Sequence, residues 1–165
     1  TFPQEARYED TDFAREAYSI FAEDMKKSPN TRACIFGTLH VPATEILMEL
    51  LDKTGMKTMV GKVNMDRNGS PLLQEDSATA SADATISWIE DTLTKFENVT
   101  PILTPRFTPS CSDELMERLS EIQKKYHLPM QSHLSENFGE IAWVKELCPA
   151  THFYGEAYRD RKSVV

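Results

Sequence analysis

His133 and Glu136 form a His-x-x-Glu pair at the carboxyl end of a predicted strand. A neutral imidazole in that place can ligate zinc. A carboxylate three residues on can stand beside a metal without binding it and move a proton between water and a ring nitrogen of a substrate. The same spacing also describes a hydrogen-bonded His beside a surface Glu, and the pair alone leaves both readings open. Arg106 and Phe107 end the preceding predicted strand. A guanidinium offers a fixed fork of donors to carbonyl or ring-nitrogen acceptors, and an aromatic face stacks on a planar heterocycle. The plainer alternative is a salt-bridged Arg beside a packed Phe. Asp66 follows another predicted strand and suits either orienting a neighbour or capping a loop. His40 ends the first predicted strand, where a structural hydrogen bond is the simpler role. Cys111 lies near Arg106, whose charge would favour a thiolate. No motif supplies the Asn or Asp that a Cys–His hydrolase needs, so it reads as inert.

These residues matter only if the chain brings strand ends together. Two hydrophobic periods alternate along it. Helical spacing appears at 12–27 (Phe13, Ala17, Phe21, Met25), 43–54 (Ile46, Leu47, Leu50, Leu51), 83–97 (Ile86, Ile89, Leu93, Phe96), 113–126 (Leu115, Leu119, Ile122, Tyr126) and 138–147 (Ile141, Val144, Leu147). Thr11 and Ser112 are placed as N-caps, and Gly55 as a C-terminal stop. Short apolar runs at 32–39, 57–65, 99–106 and 129–134 read as strands. Pro101 weakens the third of these. Trp88 and Trp143 fall inside predicted helices and read as packing residues. The polar stretch Asn68 to Asp83 reads as a long surface loop and a candidate lid. The order α-β-α-β-α-β-α-β-α implies parallel strands with right-handed helical crossovers. A doubly wound open sheet and a piece of a (β/α)8 barrel both satisfy it, and both put chemistry at the carboxyl ends of the strands.

The composition narrows the function. The chain has 165 residues, the size of one domain, with 40% hydrophobic and 27% charged residues. That is a globular balance. Eighteen basic against 26 acidic residues leave a net charge of −8, which repels phosphate backbones, so nucleic acid is not an expected partner. No apolar run approaches the roughly 20 residues that span a bilayer. Three scattered cysteines with no CxxC pair argue against a disulfide framework and point to a reducing cytoplasm. Six glycines and no Gly-rich loop argue against nucleotide phosphate binding.

The segments PILTPRFTPSCSDELM (101–116) and MQSHLSEN (130–137), with GKVNMDRN (61–68) and the opening TFPQEARYED, resemble the guanine deaminases, zinc enzymes of the amidohydrolase superfamily. The resemblance runs from Thr1 to about Tyr158. It implies a partial (β/α)8 TIM barrel, spanning strands two to five. It implies that His133 is a zinc ligand and contacts the substrate, and that Glu136 is the proton-shuttling catalytic residue, also touching substrate. It implies that Arg106 and Phe107 bind the purine. The reaction implied is hydrolytic deamination of guanine to xanthine and ammonia in the cytoplasm, by a parent protein that is a homodimer.

The same resemblance implies a first-strand His-x-His pair, a sixth-strand His and an eighth-strand Asp, which this sequence lacks. The last residues, RDRKSVV, also depart from the pattern. The expectation is that residues 1–165 are a fragment of the metal-dependent hydrolase barrel domain, with no second domain, and that the isolated chain is inactive. Two alternatives stay open: a related deaminase or chlorohydrolase acting on another ring, and a non-catalytic α/β binding module.

Overall fold

The computed structural model describes residues 2–160; the end of the divergent stretch, 161–165, lies outside the described residues. The chain forms two compact units. One holds the residues up to Val63 together with Ala84–Ile102; the other holds Asn64–Asp83 and the residues from Leu103 on.

The first unit opens with a short helix, α1 (Phe2–Ala6), and a 3-10 turn at Arg7–Glu9. Helix α2 (Thr11–Lys27) follows. Its N-cap is Asp10, not Thr11: the Asp10 carboxylate accepts from the amides of Asp12 (2.9 Å) and Phe13 (3.3 Å). A carboxylate at this position satisfies orphan amides and meets the positive end of the helix dipole. The buried stripe is Ala14, Tyr18 and Ala22, one residue along from the sequence expectation. Two alanines let the helix approach α3 closely. Phe21 is left exposed, and the Phe13 ring packs edge-on against Tyr8 with Arg7 above it.

Strand β1 (Arg32–Phe36), helix α3 (Val41–Asp52), strand β2 (Lys57–Gly61) and strand β4 (Val99–Pro101) build a three-stranded sheet in the order β1-β2-β4, parallel throughout. Helix α3 buries Ile46, Leu47 and Leu51 as expected, and Leu50 is half-buried. The strands lie in chain order, with no reversal of the kind that makes a doubly wound switch point. Gly37 lies where the carboxyl ends of β1 and β2 meet. A Cβ there would stand 2.9 Å from the Gly61 carbonyl oxygen and 3.0 Å from Thr44, so the approach of the two strand ends requires glycine.

Both longer strands are broken where one continuous run was expected. The stretch 57–65 divides into β2 and β3 (Val63–Asn64), and 99–106 divides into β4 and β5 (Thr104–Pro105). Helix α4 (Ala78–Thr92) starts and ends five residues earlier than the predicted 83–97, because Ser77 caps it through the Ala80 amide at 3.1 Å. Its buried face carries Trp88 and Ile89 with Thr85 and Thr92. The polar loop is correspondingly shorter and is pinned, not open: Glu75 exchanges hydrogen bonds with Met65 (amide to carbonyl 2.9 Å, Met65 amide to carboxylate 3.0 Å), over a buried Leu73.

In the second unit, helices α5 (Asp113–Tyr126) and α6 (Phe138–Leu147) match the predicted spans, and Ser112 caps α5 as expected, its hydroxyl accepting from the Leu115 amide. Helix α7 (Glu156–Asp160) was not foreseen. The expected strand 129–134 is reduced to a single parallel bridge between Leu103 and Met130. Hydrogen bonds give the reason. Leu103 donates to the Pro129 carbonyl (3.0 Å) and Gln131 donates to Leu103 (2.9 Å), but the next bond runs from His133 to Arg106 (3.0 Å). Two residues on one side thus face three on the other. That is a bulge, and it ends the regular ladder just before the candidate residues.

Candidate active site

The bulge sets the geometry at Arg106 and His133. The Arg106 amide donates to the Asn64 carbonyl (3.1 Å), and the Arg106 carbonyl accepts from the His133 amide. The same oxygen lies 2.8 Å from His133 Nδ1. A carbonyl can only accept, so Nδ1 carries a proton, and in the neutral ring the lone pair then belongs to Nε2. The carbonyl of Pro105, which the bulge leaves out of the ladder, accepts from the Ser132 hydroxyl at 2.7 Å.

Arg106 and Phe107 occupy successive positions after β5. Arg106 Nη1 reaches the Met65 sulfur at 3.5 Å. Phe107 has extended backbone (φ −170°) and leads into a 3-10 turn, Thr108–Ser110. Its ring meets Trp143 of α6 edge-on, with centroids 6.2 Å apart, so Trp143 is a partner of Phe107 rather than a core residue. The turn is held from the facing loop. Arg67 donates to the Thr108 and Pro109 carbonyls (3.0 and 3.2 Å), and Asn68 donates to Pro109 (2.8 Å).

Asp66 resolves as a structural anchor. Its carboxylate accepts from the Ser112 amide at 2.7 Å and from the Ser112 hydroxyl, tying this loop to the cap of α5. Cys111 is fully buried, and burial pushes its thiol up to about 12; its Sγ donates to the Asn64 carbonyl at 3.2 Å. It is inert, as its sequence context suggested. Glu136 is exposed, one residue after Ser135, which holds a left-handed conformation (φ 57°), and one before Asn137, the N-cap of α6. His40, in the other unit, caps α3 through its backbone only. Burial lowers the pKa of its imidazole, whose Nε2 has no hydrogen-bond partner among the described residues.

The donor set bears on a metal. His133 has the form of a ligand, because its Nδ1–H is spent on a backbone carbonyl, the usual device for orienting a metal-bound imidazole. Among the described residues, however, no three His, Cys, Asp or Glu side chains gather as a metal-holding group. These residues alone do not complete a catalytic zinc site, which takes three or more protein ligands.

Residues 2–163 match the model of the amidohydrolase family. The chain belongs to that family. This amidohydrolase is 41% identical over 159 residues to guanine deaminase of Mus musculus, covering 96% of its own length and 35% of that enzyme. The guanine deaminase of C. acetobutylicum, crystallised with bound guanine in the active site, superposes with a TM-score of 0.94 at 44% identity, over 98% of this chain and 38% of that one. The E. coli enzyme superposes with a TM-score of 0.90 at 35% identity, over 98% and 38%. The amidohydrolase chain thus spans little more than a third of the length of these relatives. Its fold is α/β with parallel strands and crossover helices, an arc of the (β/α)8 barrel and no closed barrel among the described residues. No helix among them is long and apolar enough to cross a membrane.

Proposed function

We propose that this chain is part of a zinc-dependent guanine deaminase, which hydrolyses guanine to xanthine and ammonia, and that it supplies one wall of the active site of a single metal-dependent hydrolase barrel domain. The observation that carries the reading is the doubly tied His133 beside Arg106-Phe107 at the bulge, in a chain 44% identical to a deaminase crystallised with guanine.

In this reading His133 contributes Nε2 to the metal. Bound zinc supplies a Lewis acid and an acidified water. Glu136, exposed in the fold, would hand a proton to a purine ring nitrogen and then to the departing amino group. The balance is one water consumed, the exocyclic C–N bond broken, a carbonyl formed and ammonia released. Arg106 offers its donor fork to the purine's acceptors and Phe107 its ring to the purine face, with Trp143 stiffening that ring from the side. None of the three cysteines is in a disulfide, which suits a reducing cytoplasm.

The test is an assay of the longer protein for loss of guanine and release of ammonia, with adenine and an amino-triazine as competitors. Guanine turnover abolished by Glu136→Gln supports the reading. Turnover of the triazine alone would transfer the chain to a different ring substrate.

A further inference from the structure

Tyr158 of α7 lies 25 residues beyond His133 in sequence, yet its hydroxyl lies 2.8 Å from the His133 carbonyl oxygen and 2.7 Å from the Ser132 hydroxyl. Ser132 in turn lies 2.7 Å from the Pro105 carbonyl and 3.2 Å from the Arg106 carbonyl. The two hydroxyls hold two protons for these contacts. Either Ser132 donates to Tyr158 and Tyr158 to the His133 carbonyl, or Tyr158 donates to Ser132 and Ser132 to Pro105. In the first arrangement the His133 carbonyl takes the Tyr158 proton and loses that donor without it; in the second Ser132 keeps its bond to Pro105 but loses the donor that ties it to α7. The ring of Tyr158 is buried and stacks on Tyr154, whose hydroxyl donates to the buried Glu140 of α6 at 2.6 Å. The ring that carries the hydroxyl is therefore held from behind by packing.

We propose that Tyr158 is a positioning residue: through Ser132 it clamps the two sides of the bulge and so fixes the His133 imidazole on the Arg106 carbonyl. This rests on the reading of His133 as a metal ligand. The relay replaces the ladder that the bulge interrupts. A regular strand would hold His133 through amide–carbonyl rungs on both sides, whereas here the His133 amide keeps its rung to Arg106 and a tyrosine from a later helix meets the His133 carbonyl.

The experiment uses the longer protein and compares Tyr158→Phe with Tyr154→Phe. Each removes one buried hydroxyl and keeps the ring, but only the first breaks the relay. The readouts are zinc retention against a chelator and the ¹⁵N shifts of the His133 imidazole. Outer-shell partners of metal ligands are worth about 10- to 100-fold in affinity, so Tyr158→Phe is expected to weaken zinc retention by about tenfold and to mix the two ring tautomers. Tyr154→Phe is expected to leave both unchanged. Equal effects from the two variants, or none from Tyr158→Phe, overturn the proposal. If Tyr158→Phe does not fold, Ser132→Ala breaks the same relay from the other end and is judged by the same criteria. His133→Ala separates the two levels of inference: zinc retained in that variant removes the metal-ligand reading itself, whatever Tyr158 does.

Discussion

The carbonyl oxygen of Arg106 accepts twice from His133, from the backbone amide at 3.0 Å and from Nδ1 of the ring at 2.8 Å. Backbone and side chain of one residue share a single acceptor, so the ring plane follows the main chain. The acceptor is the residue whose own side chain is proposed to bind the purine. A shift of the strand end therefore moves donor fork and imidazole together.

His133→Ala and Glu136→Gln separate structure from chemistry. His133 loses a hydrogen-bonded, half-buried ring, so its replacement is expected to cost about 1 kcal/mol and to reduce deamination by the longer protein at least about a hundredfold, with zinc lost. Glu136 is exposed, so its replacement is expected to change stability by no more than about 0.5 kcal/mol while kcat falls about 10²–10⁴-fold. Urea midpoints, zinc content and steady-state rates measure all of these. A Glu136→Gln enzyme with unchanged kcat would falsify the assignment.

Arg106→Lys retains the charge and discards the planar fork. The expected result is a KM for guanine raised about 10- to 100-fold, the worth of a hydrogen bond to a charged group, with kcat much less affected. An unchanged KM removes Arg106 from substrate binding and leaves it a packing residue of the Met65 loop.

The Asp66–Ser112 tie is a stability prediction independent of function. Asp66→Ala leaves the Ser112 amide and hydroxyl without their acceptor at the start of α5, and is expected to cost about 1–3 kcal/mol. Ser112→Ala loses the cap as well and falls in the range of about 0.5–2 kcal/mol. In a double-mutant cycle the two should be clearly non-additive; strict additivity means the contact contributes nothing.

Cys111 makes stability fall on the alkaline side. Its thiol ionises at about 12 in the fold against an ordinary value of 9.0, so above pH 9 the unfolded chain gives up a proton that the folded chain keeps. The contribution is fully present below pH 9 and is lost between pH 9 and 12, with a slope approaching about 1.4 kcal/mol per pH unit. Burial also raises Tyr18 and Tyr154, which adds the same sign above pH 10. Urea midpoints from pH 8 to 11 should fall, and Cys111→Ala should flatten the slope. In the native state Cys34, which is exposed, should react with iodoacetamide at pH 8 while Cys111 does not.

The 165-residue chain by itself should not deaminate guanine. The described residues gather no metal-holding group, and one imidazole holds zinc too weakly for catalysis. Chromatography of xanthine produced by the purified chain checks this directly.

Much of the fold was legible because helices α5 and α6 carry local signals: an N-cap residue, a period near 3.6 and acidic first turns all lie within one stretch of chain. The strands were legible as apolar runs but not as interrupted ones. Pro101 hinted at the break in 99–106, while the bulge facing 129–134 left no mark, since an extra residue on one strand is defined only by its partner. The stripe of α2 was misread by one position because aromatics outweigh alanines in a hydrophobic pattern, whereas close helix packing favours the small residues Ala14 and Ala22.

The candidate site divides in the same way. Sequence by itself determined which residue types are available, His133, Glu136, Arg106 and Phe107, and that Arg106 and Phe107 follow a strand, because side-chain chemistry and hydrophobic period are properties of the local chain. Only the tertiary structure decided that the His133 ring rests on the Arg106 carbonyl, that Asp66 anchors Ser112, that Trp143 braces Phe107 and that Tyr158 closes the relay behind them. Each of these joins residues 25 to 46 positions apart, and a pairing over that distance is specified by the packing of whole elements, not by any spacing within one.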